Sequence, residues 1–420
     1  MTDQTTLQVL LGEFRDKLAS LKGLIPRDAQ FPEAPSKIKV AIGMRRAGKT
    51  YFLYQHILKL LNKGIPLTSI LYINFEDDRL LPLNEQKLAG LVDAFYTLYP
   101  ENHDRKCYLC FDEIQNIENW AMVVRRLHDS KNVEIFLTGS SAKLLSKEIA
   151  TSLRGRSLAV EIWPYSLSEF IRAKGVSIER ELYSQRTRDR LAQVFHAYLS
   201  EGGFPEIISF QADVKQKTLQ EYLDVAIYRD IIERHDIKNP KLIKHMIVSM
   251  MHNVSGPFAV NQLYRNTKSQ GYHVGKDLLY EYADYIEDAY LAFSVALYDP
   301  SIRKAQTNPK KLYAIDPGLT RAITLDYERE LGRLFENIVY LDLRRLDCKV
   351  SYYLTNERHE VDFLAQTPRG HKKLFQVCWD MESKNTAERE LRALTAAKAE
   401  LSIEGELITL DSYLREGIRL

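Results

Sequence analysis

Gly43-Met44-Arg45-Arg46-Ala47-Gly48-Lys49-Thr50 fits the spacing G-x-x-x-x-G-K-[ST], between a strand-like run, KIKVAI, and a helix-like run, YFLYQHILKLL. Glycines at this spacing let the backbone wrap so that successive N–H groups and a helix N-terminus face phosphate oxygens. Lys49 then reaches the β- and γ-oxygens of a nucleotide, and Thr50 offers a hydroxyl to Mg²⁺. A second apolar run, Tyr108-Leu109-Cys110-Phe111, ends in Asp112-Glu113. One carboxylate there would orient Mg²⁺ and the other would polarise an attacking water. The expectation is nucleotide binding along residues 43–51, Tyr51 included, a metal at Thr50 and Asp112, and catalysis by Lys49 and Glu113.

Further along, Phe136-Leu137-Thr138-Gly139-Ser140-Ser141 ends another strand-like run, at the edge where open α/β sheets bind ligands. Thr138 or Ser140 is expected to read the γ-phosphate; the plainer alternative is a cap for the following helix-like AKLLSKEI. Arg154 and Arg156 carry guanidinium groups that could reach a transition-state phosphate in cis or from a neighbouring subunit; the alternative is a solvated pair before a strand.

The elements that must position these groups follow a βαβ cadence from Lys37 to about Pro164, with near-continuous apolar strands separated by amphipathic stretches. That pattern predicts a parallel sheet covered on both faces. Residues 1–36 read as a leading helix and a linker spaced by Pro26, Pro32 and Pro35, and 37–165 as the core. A helical segment follows over 166–240, then a winged-helix pattern over 241–325 and a separate α/β pattern over 326–420.

Composition sets outer limits. Lys plus Arg is 58 against Asp plus Glu 56 in 420 residues, a formal charge of +2, so a nucleic-acid partner would have to be held by a local patch. With 45% hydrophobic and 27% charged residues the chain is far from the disordered class. The N-terminus lacks a signal-peptide pattern, and no apolar run approaches the ~20 residues that span a bilayer, so a cytoplasmic protein without a membrane partner is expected. Cys107 and Cys110 fall inside the strand-like KCYLCFDEI, while Cys348 and Cys378 have no His spaced to complete a zinc site, which predicts buried, reduced thiols.

The order GMRRAGKT, YINFEDDRL, YLCFDEIQN, FLTGSSA, LRGR and WPYSLSEF resembles bacterial and archaeal ATP-binding proteins of the AAA superfamily. EGGFPE, YRDIIERH and FENIVYLDL resemble the companion C-terminal domain of unknown function that accompanies them. The resemblance implies ATP and Mg²⁺ on a P-loop NTPase core of the additional-catalytic-glutamate type. It further implies a helical and winged-helix domain, then a restriction-endonuclease-like α/β domain.

In the PD-(D/E)xK nuclease pattern that the tail resembles, Glu336, Asp362 and Gln376-Val377-Cys378 take the metal-site places. Oxygen ligands suit Mg²⁺, but Cys378 stands where the pattern has lysine. Binding or assembly is therefore expected rather than cleavage, with Lys384 the residue that could substitute. Thr386, Arg389 and Glu390 also match the pattern and read as structural. Arg303, Lys304, Lys310 and Lys311 lie where a winged helix places its wing and are expected to contact nucleic-acid phosphates without sequence preference.

The function expected is an oligomeric ATPase that drives conformational change on or near DNA. Two alternatives stand beside it: a slow nucleotide-dependent switch or defence protein acting on a protein partner, and an ATP-governed nuclease.

Overall fold

The computed structural model describes residues 2–21, 23–139, 152–176, 184–269, 271–272, 274–323, 331–379 and 384–420, without the side chains of 302, 306 and 384–386. It divides into two compact units, Met1–Trp163 and Pro164–Leu420.

The first unit runs α1 (Asp3–Ser20), β1 (Ile38–Ile42), α2 (Lys49–Asn62), β2 (Ile70–Asn74), α3 (Glu85–Leu98), β3 (Cys107–Asp112), α4 (Trp120–Ser130), β4 (Val133–Gly139) and β5 (Ser157–Glu161). The sheet order is β2-β3-β4-β1-β5 and every pairing is parallel. Burial explains the near-continuous apolar strands: every residue of β1 and β3 is enclosed, because helices cover both faces. Val40, Leu71, Leu109 and Leu137 pack with Leu88, Leu91 and Val124 of α3 and α4 on one face. Tyr72, Cys110 and Phe136 pack with Leu53 and Ile57 of α2 on the other. Since β4 lies between β1 and β3, the loop after β1, the end of β4 and the acids ending β3 share one carboxyl edge.

The second unit begins with helices Leu167–Ala173, Gln185–Glu201 and Ala212–Val225. Within the helical segment expected over 166–240 the helix changes character at Ala226, where Ala226–Glu233 is π-helical with Ala226, Ile227 and Ile231 buried. EGGFPE is a packing junction: Gly203 N–H donates to Asp316 Oδ2 at 2.6 Å, and a Cβ on Gly202 would strike that carboxylate. Helices Val260–Ser269 and Lys276–Asp288 accompany an antiparallel sheet of order β6-β8-β7, from β6 (Pro257–Phe258), β7 (Ala292–Val295) and β8 (Lys310–Ala314). A second sheet has the order β12-β11-β10-β9, from β9 (Lys349–Leu354), β10 (Glu360–Gln366), β11 (Lys372–Cys378) and β12 (Gly405–Thr409). Helices Leu331–Arg345 and Lys384–Leu401 flank β9 and β11 in sequence.

Between β7 and β8, the basic segment expected at a wing is partly helical. Residues Ile302–Thr307 form a short helix, with Ser301 Oγ accepting from Lys304 N–H, and β8 begins at Lys310. All four cysteines are buried and none is in a disulfide. Among the described residues no helix is long and apolar enough to cross a membrane.

Candidate nucleotide site

The loop after β1 turns through positive φ at Gly43 (151°), Arg46 (64°) and Gly48 (97°), and Gly48 then caps α2. Gly43 has a second reason to be glycine, since a Cβ there would collide with the Ile162 carbonyl. Met44 and Ala47 are buried beneath the loop, Arg46 is exposed, and Arg45 Nη1 lies 3.6 Å from Glu76 Oε1. Tyr51 is 47% exposed on the first turn of α2. Lys49, 4% exposed, donates from Nζ to the carbonyls of Gly43 (3.2 Å) and Met44 (3.1 Å), and the same Nζ lies 3.7 Å from Glu113 Oε1.

Asp112 is completely buried, and burial raises its carboxyl above the ordinary range against hydrogen bonds that lower it. Those bonds come from Thr138 Oγ1 to Oδ1, from Tyr72 Oη to Oδ2 at 3.0 Å, and from the Thr50 side chain. Thr138 Oγ1 also accepts the Glu113 N–H at 3.0 Å. The Thr138 proton is thus committed to Asp112, and this hydroxyl joins the two acids rather than reading a γ-phosphate. Glu113 has a left-handed backbone (φ 53°), a conformation that costs a non-glycine residue about 1–2 kcal/mol and turns its carboxylate out of the strand. Gln115 Nε2 donates to Glu113 Oε2.

ATP with Mg²⁺ fits these residues. The loop turns through positive φ at Gly43 and Gly48, a backbone path that favours glycine, and the Thr50 hydroxyl and Asp112 carboxylate already meet.

Pattern reading missed three supporting side chains. Arg27, from the linker, is buried and donates from Nη1 to the Ala47 carbonyl (2.9 Å) and from Nη2 to the Trp163 carbonyl. Gln55 of α2 fixes it by accepting Arg27 N–H at 2.7 Å and donating to Arg27 O at 3.1 Å. Tyr72 continues the Asp112 array to Tyr54, hydroxyl to hydroxyl at 3.1 Å. Only an arginine amid a proline-spaced linker and tyrosines at apolar strand and helix positions could have signalled them. Arg27→Ala should weaken ATP binding about tenfold or more, the equivalent of one lost charge-assisted hydrogen bond of ~1.5–3 kcal/mol. Nucleotide titration beside a thermal melt checks this; a lower melting temperature with unchanged affinity would make Arg27 a packing residue only.

The reach of Arg154 and Arg156 in cis is also corrected. Arg156 O accepts from Ile38 N–H at the start of β1, and its guanidinium pairs with Asp129 at 3.1 and 3.2 Å. Arg154 precedes it in a left-handed turn. Both stand at the amino edge, about five residues of strand, or roughly 16 Å, from the loop after β1. Ser140 lies outside the described residues.

In the second unit, Arg303, Lys304 and Lys310 are exposed. Lys311 is corrected: it is buried, with Nζ at 2.6 Å from Glu336, 2.9 Å from Glu360 and 3.1 Å from Asp362, and so is not a nucleic-acid contact. Gln376 Nε2 donates to Asp362 Oδ2 at 2.9 Å and to Glu390 Oε2, and Arg389 pairs with Glu390. Cys378 is buried, and the side chains of Lys384 and Thr386 are outside the described residues.

Residues 35–171 match the family model of the AAA domain, and residues 192–330 match a domain of unknown function, DUF8612. The uncharacterized protein MJ1544 of Methanocaldococcus jannaschii is 36% identical over 96% of this chain and 88% of its own length. The chain belongs to its family. An uncharacterized protein of Haemophilus influenzae is 30% identical, covering 78% of this chain and 79% of that relative. Among solved structures, the Walker-type ATPase of Pyrococcus abyssi is similar with a TM-score of 0.46 and 14% identity, over 73% of this chain and all of that one. The AAA match spans the loop after β1, Asp112-Glu113 and the whole parallel sheet, so this member of the family carries an AAA-type domain.

Proposed function

We propose that the chain is an Mg²⁺-dependent ATP hydrolase whose turnover drives conformational change. The observation that carries this reading is the array Thr50, Asp112, Thr138 and Glu113, joined side by side at the mouth of the loop that carries Lys49. Mg²⁺, when bound, would supply charge neutralisation to the phosphates, with Thr50 and Asp112 holding it. Glu113 orients a water oxygen toward the γ-phosphorus and accepts its proton. The new P–O bond forms as the bond to the β,γ-bridging oxygen breaks, leaving ADP and phosphate, while Lys49 balances charge on the γ-oxygens.

For the second unit we read helices Val260–Ser269 and Lys276–Asp288 with β6, β7 and β8 as a winged helix. The exposed Arg303, Lys304 and Lys310 support phosphate-backbone contact without sequence preference. We read the four-stranded sheet with its two flanking helices as restriction-endonuclease-like, because β11 and β12 are parallel with a helix between them while β9, β10 and β11 are antiparallel. A second reading, a slow nucleotide switch acting on a protein partner, is favoured by Arg156, which is held by Asp129 at the opposite edge of the sheet. Turnover would then wait for an arginine from another subunit.

Steady-state phosphate release from ATP and Mg²⁺, with and without single-stranded, duplex and forked DNA, separates the two. DNA stimulation above the Glu113→Gln blank supports the DNA-coupled ATPase. Slow release indifferent to every DNA supports the switch, and no release above the blank under any condition defeats the hydrolase.

A further inference from the structure

The restriction-endonuclease likeness implies a divalent cation among Glu336, Asp362 and Gln376, and the residues present do not fit one. Lys311 comes from β8, outside the four-stranded sheet, and its ammonium has three N–H donors that meet three carboxylates: Glu336 at 2.6 Å, Glu360 at 2.9 Å and Asp362 at 3.1 Å. A hard cation drawing on the same oxygens at about 2.0–2.6 Å would sit against that ammonium. The neighbouring acceptors are also engaged. Asp362 Oδ2 takes Val377 N–H and Gln376 Nε2, each at 2.9 Å, and Glu336 Oε1 takes Tyr313 Oη at 2.7 Å. Gln376 turns its amide nitrogen toward Asp362 and Glu390 while its oxygen accepts Asp362 N–H at 3.2 Å. The reverse orientation would set oxygen against two carboxylates, so glutamine enters this centre as a donor and not as a metal ligand. Among the described residues, no group of three or more His, Cys, Asp and Glu side chains is disposed to hold a metal ion.

We propose that Lys311 is the resident cation of this centre: its ammonium, in place of a divalent metal, pairs with Glu336, Glu360 and Asp362 and latches β8 to β10. Two neighbouring contacts show what the latch closes. Asn337, completely buried one residue after Glu336, mimics a strand by accepting Ala314 N–H at 2.7 Å and donating to Ala314 O at 3.1 Å. Tyr352 of β9 donates from Oη to the Pro309 carbonyl. Lys311 thus stands between a grip just before β8 and one at its last residue, and supplies the charged contact. Burial opposes its charge, but Glu336 and the acids of β10 outweigh burial and hold the ammonium protonated. A cavity of about 580 Å³ opens on the same residues, with Arg333, Arg358 and Arg389 in its lining, so the centre is reachable from solvent and a metal probe can test it.

The test is Mn²⁺ binding by the full chain without nucleotide, in an Asp112→Asn background that removes the carboxylate of the nucleotide site. With Lys311 present, no Mn²⁺ binding and no change in melting temperature are expected. Lys311→Met in the same background should melt several degrees lower in EDTA, then bind one Mn²⁺ and recover the loss. The proposal is overturned if the chain with Lys311 binds Mn²⁺ in a manner abolished by Asp362→Asn, or if Lys311→Met melts unchanged in EDTA. Should Lys311→Met fail to fold, binding to the chain with Lys311 decides alone. Nicking of supercoiled DNA that needs Mn²⁺ and is lost in Asp362→Asn would also overturn it.

Discussion

Glu113→Gln should bind ATP as the unaltered chain does and lose about 10²- to 10⁴-fold of its turnover, the usual worth of a positioned general base. The substitution keeps the shape and the left-handed backbone, which Thr138 holds through the main-chain N–H and not through the side chain. It leaves Lys49 without the carboxylate 3.7 Å away and replaces the acceptor that Gln115 meets with an amide that must choose its orientation. Binding should survive because, on the proposed reading, the phosphates rest on the loop and α2, which Glu113 does not build. Single-turnover hydrolysis beside equilibrium ATP titration checks this. Normal turnover in the variant would remove Glu113 from catalysis, and lost affinity would make it a structural partner of Lys49.

Lys49→Ala should act at the earlier step and weaken ATP binding at least about a hundredfold, roughly 2.7 kcal/mol, the scale of one buried charge pair left without its partner. Its ammonium is 4% exposed and bridges the Gly43 and Met44 carbonyls at the start of the loop, so alanine removes the cation and also loosens the loop. Titration with a non-hydrolysable ATP analogue separates the two effects, because ADP should lose less affinity than the triphosphate if Lys49 faces the γ-phosphate. Equal losses for both would assign Lys49 to loop order alone.

The contrast between these residues and the support around them shows where local pattern suffices. The loop at 43–50 is legible because its chemistry is contiguous: glycines at positive φ, a helix beginning at Lys49 and a strand ending at Ile42 lie within one short span. Asp112-Glu113 is legible for the same reason, as an apolar strand that ends in acids. Arg27 and Gln55 are 28 positions apart and join through backbone atoms, which no residue type advertises. Thr138 was legible as a hydroxyl at the carboxyl edge, but its task depended on β4 lying between β1 and β3, and that order is a property of the sheet.

The basic segment makes the same point in reverse. Arg303, Lys304, Lys310 and Lys311 look alike as a run of cations, yet a strand sends consecutive side chains to opposite faces. Lys310 therefore stays in solvent while Lys311 is buried among three carboxylates, two of them from β10 about fifty positions later. Arg156 could be expected at a phosphate in cis or in trans or as a solvated cation before a strand, and the parallel sheet puts it at the start of β5, on the edge opposite the loop after β1. By itself the sequence determined what contiguous residues can express: the glycine loop before α2, the acid pair, the βαβ cadence and the buried thiols. The tertiary structure alone decided which cations stay exposed and which are buried in ion pairs, because charge pairing depends on distances across strands and sheets that chain order does not contain.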